Sequence, residues 1–199
     1  MKRVAALISV VLILAACSGG EPVFDRDDLP DLVLRGEEAP AGTILVDGES
    51  GYQDVDRLAE DDVEARLLED AGFVVAYLTF FFDPKLFDEE DLLDPTASLA
   101  VSYAILFGSA EEASRGLQVI EDDVRNDGSD LSERPIAATF GDESFGVYGD
   151  VEPGRPPAFV FGWRVGNVVQ FLIAAGARGA INENAARVLA ERMLRRAAG

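Results

Sequence analysis

Ser144 lies in the segment Gly141-Asp142-Glu143-Ser144-Phe145-Gly146, where two glycines bracket a serine as they do in a nucleophile elbow. The elbow needs a glycine two positions before the serine, and Asp142 stands there instead. A serine nucleophile also needs a base, and the chain contains no histidine. Ser-His-Asp triads, Cys-His dyads and histidine acid–base catalysis are therefore excluded within it. Lys85, next to Pro84 in an acidic stretch, is a poor substitute base, so Gly141 and Gly146 read as a turn or bulge between strands. The 37 acidic residues supply the carboxylates of a glycosidase, but spacing along the chain does not bring any two across a cleft at the required separation. Aligning Gly128 with the invariant glycine of an EF-hand loop puts Asp123 and Asp127 at ligand positions. The same alignment puts Arg125 at the third position and Arg134 at the bidentate one, which defeats it. With no histidine and one cysteine, zinc, copper and haem lack their usual ligands. No catalytic residue, metal ligand or cofactor is assigned, and the expectation is a protein that is not an enzyme.

The single cysteine, Cys17, has a different chemistry. Lys2 and Arg3 open the chain, and residues 4–16 are apolar except for Ser9. Such a run is too short for a permanent membrane span, which takes about 20 residues, and has the form of a secretory signal peptide over residues 1–16. The boundary Leu14-Ala15-Ala16-Cys17 resembles the lipobox of bacterial lipoproteins. That resemblance implies a diacylglycerol on the Cys17 sulfur, removal of the signal before Cys17, and acylation of the new amino terminus by a fatty acid such as palmitate. One acyl chain binds a membrane only marginally, whereas two or three hold firmly. The implied location is the extracytoplasmic face of a cell membrane. In a cell with two membranes the outer one is open, because Ser18 rather than aspartate follows the cysteine.

Once Cys17 is lipidated no thiol remains for a disulfide, so an ordinary core must hold the domain. A chain that is 48% hydrophobic has the material for one. The formal charge is −20, and loss of Lys2 and Arg3 with the signal deepens it. Such a surface repels phosphate backbones, which excludes nucleic acid as a partner, and it repels anionic lipid headgroups. Membrane attachment is thus expected through Cys17 alone.

The elements follow from periodicity. Residues 17–30 form the lipidated cysteine and an acidic tether, and residues 31–199 a single domain. Two apolar patches, 32–34 and 44–46, read as extended pieces joined by a turn. Val55, Leu58, Ala59, Val63, Leu67 and Ala71 share one face of a helix that Gly72 stops. Residues 73–82 are a strand of aromatic and branched residues, residues 83–95 an acidic loop, and residues 97–107 a second strand. Ser109 and Glu112 open a helix as a capping box, and Asn126-Asp127-Gly128 closes it. Four further strands are expected at 136–140, 144–148, 158–165 and 168–174. Gly166-Asn167 makes a hairpin of the last two, and Asn182 caps a final helix whose end is crowded by Arg187, Arg192, Arg195 and Arg196. The fold class is α+β, one antiparallel sheet of about six strands packed with about three helices.

Several of these segments carry a second resemblance: Ala39-Pro40-Ala41-Gly42, "FGSAEEASRGL" from Phe107, "FGDESFG" from Phe140 and "WRVGNVVQFL" from Trp163. Together they are similar to uncharacterised secreted lipoproteins of actinobacterial type, some of which have PsbP-like folds. The resemblance implies no catalytic residues. Alternation along Phe80-Phe81-Phe82 puts phenylalanine on both faces of one strand end, so one face is core and the other is either covered by a helix or lines a groove. The candidate groove residues are Phe80, Phe82, Tyr148 and Trp163. Three functions stay open: a non-enzymatic binding or accessory module of the cell envelope with an envelope protein as partner, a carrier of a lipid or other apolar ligand, and a histidine-free carboxylate hydrolase acting on envelope glycans.

Overall fold

The computed structural model describes residues 21–59, 61–87, 97–126, 134–150, 157–176 and 181–198. The signal peptide, Cys17, the acidic cluster at 88–94, the Asp127-Gly128 stop and most of the loop at 150–157 lie outside them. Among the described residues the fold is α+β, with one antiparallel sheet of eight strands and five α-helices. The strands are β1 (Ile44–Leu45), β2 (Gly51–Gln53), β3 (Phe73–Phe82), β4 (Ser98–Phe107), β5 (Arg134–Pro135), β6 (Glu143–Asp150), β7 (Pro157–Val165) and β8 (Val168–Gly176). The helices are α1 (Leu29–Leu32), α2 (Val55–Leu58), α3 (Asp62–Ala71), α4 (Ala110–Asn126) and α5 (Glu183–Ala197). The sheet order is β1-β3-β4-β8-β7-β6-β5, with β2 also pairing β3.

The long strands and both long helices match the periodicity. Four differences have physical causes. The single helix expected before Gly72 is two: Ala59 is extended (φ −75°, ψ 146°), and Asp61 starts a new helix by accepting from the Val63 and Glu64 amides at 2.8 and 2.9 Å. A carboxylate able to cap competes with continuing the first helix. Residues 136–140 are not a strand. The Ile136 amide still bonds the Gly146 carbonyl at 3.0 Å, but the chain then leaves the edge so that Phe140 can enter the core, where its ring meets Phe161 and Trp163 at 5.4 Å. Of the short edge pieces, β1 falls in the 44–46 patch expected to be extended, while β2 and β5, of three and two residues, are below the reach of a period-two pattern.

The fourth difference concerns the tether. From Glu21 the chain lies on the domain. Asp25 and Asp28 form a capping box that starts a 3-10 turn at Arg26–Asp28, α1 follows, and Leu29 is wholly buried. Residues 32–34, read as an extended piece, are the last residue of α1 and an exit on which Val33 is extended; they lie across a face of the sheet and join no ladder.

That face is the closed one. Leu29, Leu32, Val33 and Leu34 pack with Phe81, Phe161, Trp163 and Leu172, and α5 adds Ala186, Leu189 and Met193. A backbone buried on a sheet face must find side-chain partners. Ser102 Oγ accepts from the Leu34 amide at 3.0 Å and shares a 2.7 Å hydrogen bond with Thr79, whose hydroxyl also donates to the Leu34 carbonyl. Gln170 Nε2 donates to the Leu32 carbonyl at 2.6 Å, while its Oε1 accepts from the Trp163 indole at 2.8 Å. Arg196 bonds the Asp31 and Val33 carbonyls and pairs with Glu38. The arginines expected only to complement the α5 dipole thus include one that ties α5 to the amino-terminal segment.

Candidate functional site

Cross-strand partners in an antiparallel sheet point to the same face, so the register assigns every strand residue to a side. The line Phe81, Ala100, Ala174, Phe159, Tyr148 belongs to the closed face. Trp163, four residues beyond Phe159, is on the same side and fully buried. The line Phe80, Val101, Ile173, Val160, Val147 belongs to the other face, and Phe82 with it. The four candidate groove residues therefore do not converge. Phe80 and Phe82 stand together, rings 5.9 Å apart, whereas Tyr148 and Trp163 are part of the opposite layer, Tyr148 against Phe159 at 4.7 Å. Residue type suggested the grouping, and strand parity across the sheet corrects it.

The second face is only partly roofed. Helix α4 lies over β7 and β8 and brings Ala113, Leu117 and Ile120 onto Phe107, Phe145 and Val160, and α3 leans on α4 through Leu68 and Ala71. Between helices and sheet a hollow of about 170 Å³ remains. Tyr103, Ile105, Phe171 and Ile173 make its floor, with the Tyr103 and Phe171 rings 5.9 Å apart. Leu58, Leu68, Ile120 and Val124 form its walls, and Glu64 and Asp123 are the acidic groups on its lining. A second, more open hollow of about 560 Å³ adjoins it across Tyr103, floored by Leu78, Phe80, Phe82 and Val101, with Glu49, Gln53 and Arg57 among its polar lining. Phe80 and Phe82 were legible in the sequence. Tyr103, shared by both hollows, was not, although it is an aromatic residue at the period-two positions of the second strand.

The remaining charged cluster sits at the hairpin between β7 and β8. Arg164 is buried, its side chain 7% exposed, and it pairs with Glu21 at 3.2 Å, Asp142 at 3.3 Å and Glu143 at 3.1 Å, while donating to the Gly166 carbonyl. Burial works to lower the guanidinium pKa, but the Glu21 hydrogen bond and the charges of Asp142, Glu21 and Glu143 outweigh it, and the net shift is upward. The segment that first resembled a nucleophile elbow thus has its acids committed to Arg164. Its glycine serves a turn, since Gly141 has φ +55° and a Cβ there would lie 2.1 Å from the Arg164 carbonyl oxygen. Ser144 Oγ accepts from the Phe140 amide at 3.2 Å, closing the same turn.

Among the described residues no group of three or more His, Cys, Asp or Glu side chains is placed to hold a metal ion. No helix among them is long and apolar enough to cross a membrane. The crystal structure of the extracellular domain of PknH from Mycobacterium tuberculosis is similar to this chain, with a TM-score of 0.58 at 14% sequence identity. The match covers 90% of this chain and 99% of that one. At this identity the likeness is one of fold. No protein-family model matches the chain, and a search of curated proteins finds no match.

Proposed function

We propose that this chain is a lipid-anchored, extracytoplasmic, non-enzymatic binding module of the cell envelope that takes an apolar ligand in the hollows flanking Tyr103. The observation that carries the reading is the unequal treatment of the two sheet faces. One is sealed by apolar side chains and satisfied hydrogen bonds, while the other keeps about 170 Å³ of apolar space beside an open aromatic floor. The signal peptide and the Leu14-Ala15-Ala16-Cys17 boundary support the anchored, extracytoplasmic part, and so does sharing a fold with a domain described as extracellular. The missing histidine and the commitment of Asp142 and Glu143 to Arg164 support a non-catalytic role.

The test uses a lipid-free form beginning at Ser18 and the apolar fluorophore N-phenylnaphthylamine. Saturable binding near one equivalent is expected, and it should be lost in Val124→Trp, which puts an indole into the smaller hollow. Undiminished binding by a folded Val124→Trp variant would refute the assignment of the site. The anchor is tested separately: Cys17→Ser should move the full chain from the membrane fraction to the soluble one.

A further inference from the structure

The amino-terminal residues are clamped to one end of the sheet. Asn167, buried in the β7–β8 turn, accepts from the Phe24 amide through Oδ1 at 2.8 Å and donates through Nδ2 to the Phe24 carbonyl at 3.1 Å, pairing with that residue as a neighbouring strand would. The same Nδ2 reaches the Phe107 carbonyl at 3.1 Å, so the clamp is tied to the end of β4. Glu21 is held by Arg164. Pro22 lies directly over Gly166, where a Cβ would fall 1.7 Å from the Pro22 carbonyl oxygen and where φ is +56°. The residue types at the turn are thus required by the segment that crosses it as well as by the hairpin.

This clamp has a consequence for presentation, resting on the lipid-anchored reading above. Cys17 is four residues from Glu21, and four residues span at most about 14 Å whatever their conformation. A lipid on Cys17 therefore lies close to the hairpin end of the sheet. We infer that the domain stands on its anchoring membrane on this end, formed by residues 21–24, the Gly166-Asn167 turn and the Gly72 and Gly108 junctions. Phe80 and Phe82 with their hollow then point away from the bilayer. Phe73 pairs with Phe107 at the hairpin end, and Phe82 pairs with Leu99 at the other. Nine residues of strand put about 30 Å between them. The membrane-facing end carries Glu21, Asp142 and Glu143 around Arg164, so it rests above the headgroups and does not insert. The occupant of the hollow therefore arrives from the side opposite the anchoring bilayer, rather than by lateral entry from it.

The experiment uses the full lipidated chain in vesicles of phosphatidylethanolamine and phosphatidylglycerol that carry a headgroup acceptor dye. A donor is placed through Asp70→Cys, within a turn of the hairpin end, or through Ile44→Cys, which pairs with Phe82 at the other. Energy transfer from position 70 should exceed that from position 44 severalfold. Gly166→Ala, which expels Pro22, should shrink that difference while the chain stays on the vesicles. Equal or inverted transfer in a vesicle-bound chain overturns the orientation and leaves the anchor standing. Failure of the chain to sediment with vesicles overturns the anchored reading and the orientation with it. Each labelled variant reports with the amino-terminal clamp unaltered, so the test stands even where Gly166→Ala does not fold.

Discussion

The two faces of this sheet are built from the same strands and are covered differently. On the closed face the amino-terminal segment and α5 pack against the strands, and each buried backbone group of residues 32–34 named above meets Ser102, Thr79, Gln170 or Arg196. On the open face α3 and α4 roof the half near the hairpin and leave an aromatic floor beyond Tyr103. The difference teaches that Ser102, Thr79 and Gln170, polar residues inside otherwise apolar strands, mark the face whose cover brings buried backbone to be satisfied, whereas aromatic residues occur on both faces.

Substitution of a large buried ring separates the two faces most sharply. Trp163→Ala on the closed face should cost about 3–5 kcal/mol by chemical unfolding. Tyr103→Ala on the open face should cost about 1–2 kcal/mol, as for a partly exposed side chain. Equal losses would mean that the faces are not energetically distinct. A finer cut is Gln170→Leu, which keeps bulk but strands the Trp163 indole and the Leu32 carbonyl. It should cost about 1–3 kcal/mol and leave N-phenylnaphthylamine binding unchanged. A loss of binding equal to the loss of stability would show that the hollow depends on the sealed layer.

The smallest effect is electrostatic. The Glu64 and Val63 amides hold the Asp61 carboxyl below its ordinary pKa at the start of α3, the helix that walls the smaller hollow. The folded state therefore prefers the charged form. Its contribution is present above the ordinary carboxylate pKa and fades as pH falls through the lowered one. Asp61→Asn keeps a capping oxygen without the charge, so the urea midpoint of this variant should fall less steeply than that of the parent below about pH 4.

Much of this was legible in residue order. The ten-residue strand ending at Phe82, the Ser109 cap, the Gly166-Asn167 turn and the Asn182 cap announce themselves through local chemistry, because each needs only its near neighbours. Strands of two residues are too short to show a period, and the docking of residues 21–34 rests on partners as far as 45 and 165 positions away in the chain. The candidate site was half legible for the same reason. Phe80 and Phe82 follow from alternation within one strand, but whether Trp163 joins them depends on counting parity through β4, β8 and β7, and only the register supplies that count.

The strand order also dictates how the molecule comes into being. The centre of the sheet joins residues 98–106 to residues 168–176, so its middle seam is a pairing between distant parts of the chain. The β3–β4 and β7–β8 hairpins are each able to form early from nearby residues, but both keep a bare edge until they meet. Assembly is therefore gated by the last third of the chain. A polypeptide that ends before β8 has two sticky half-sheets in place of one closed seam, and it should aggregate rather than fold.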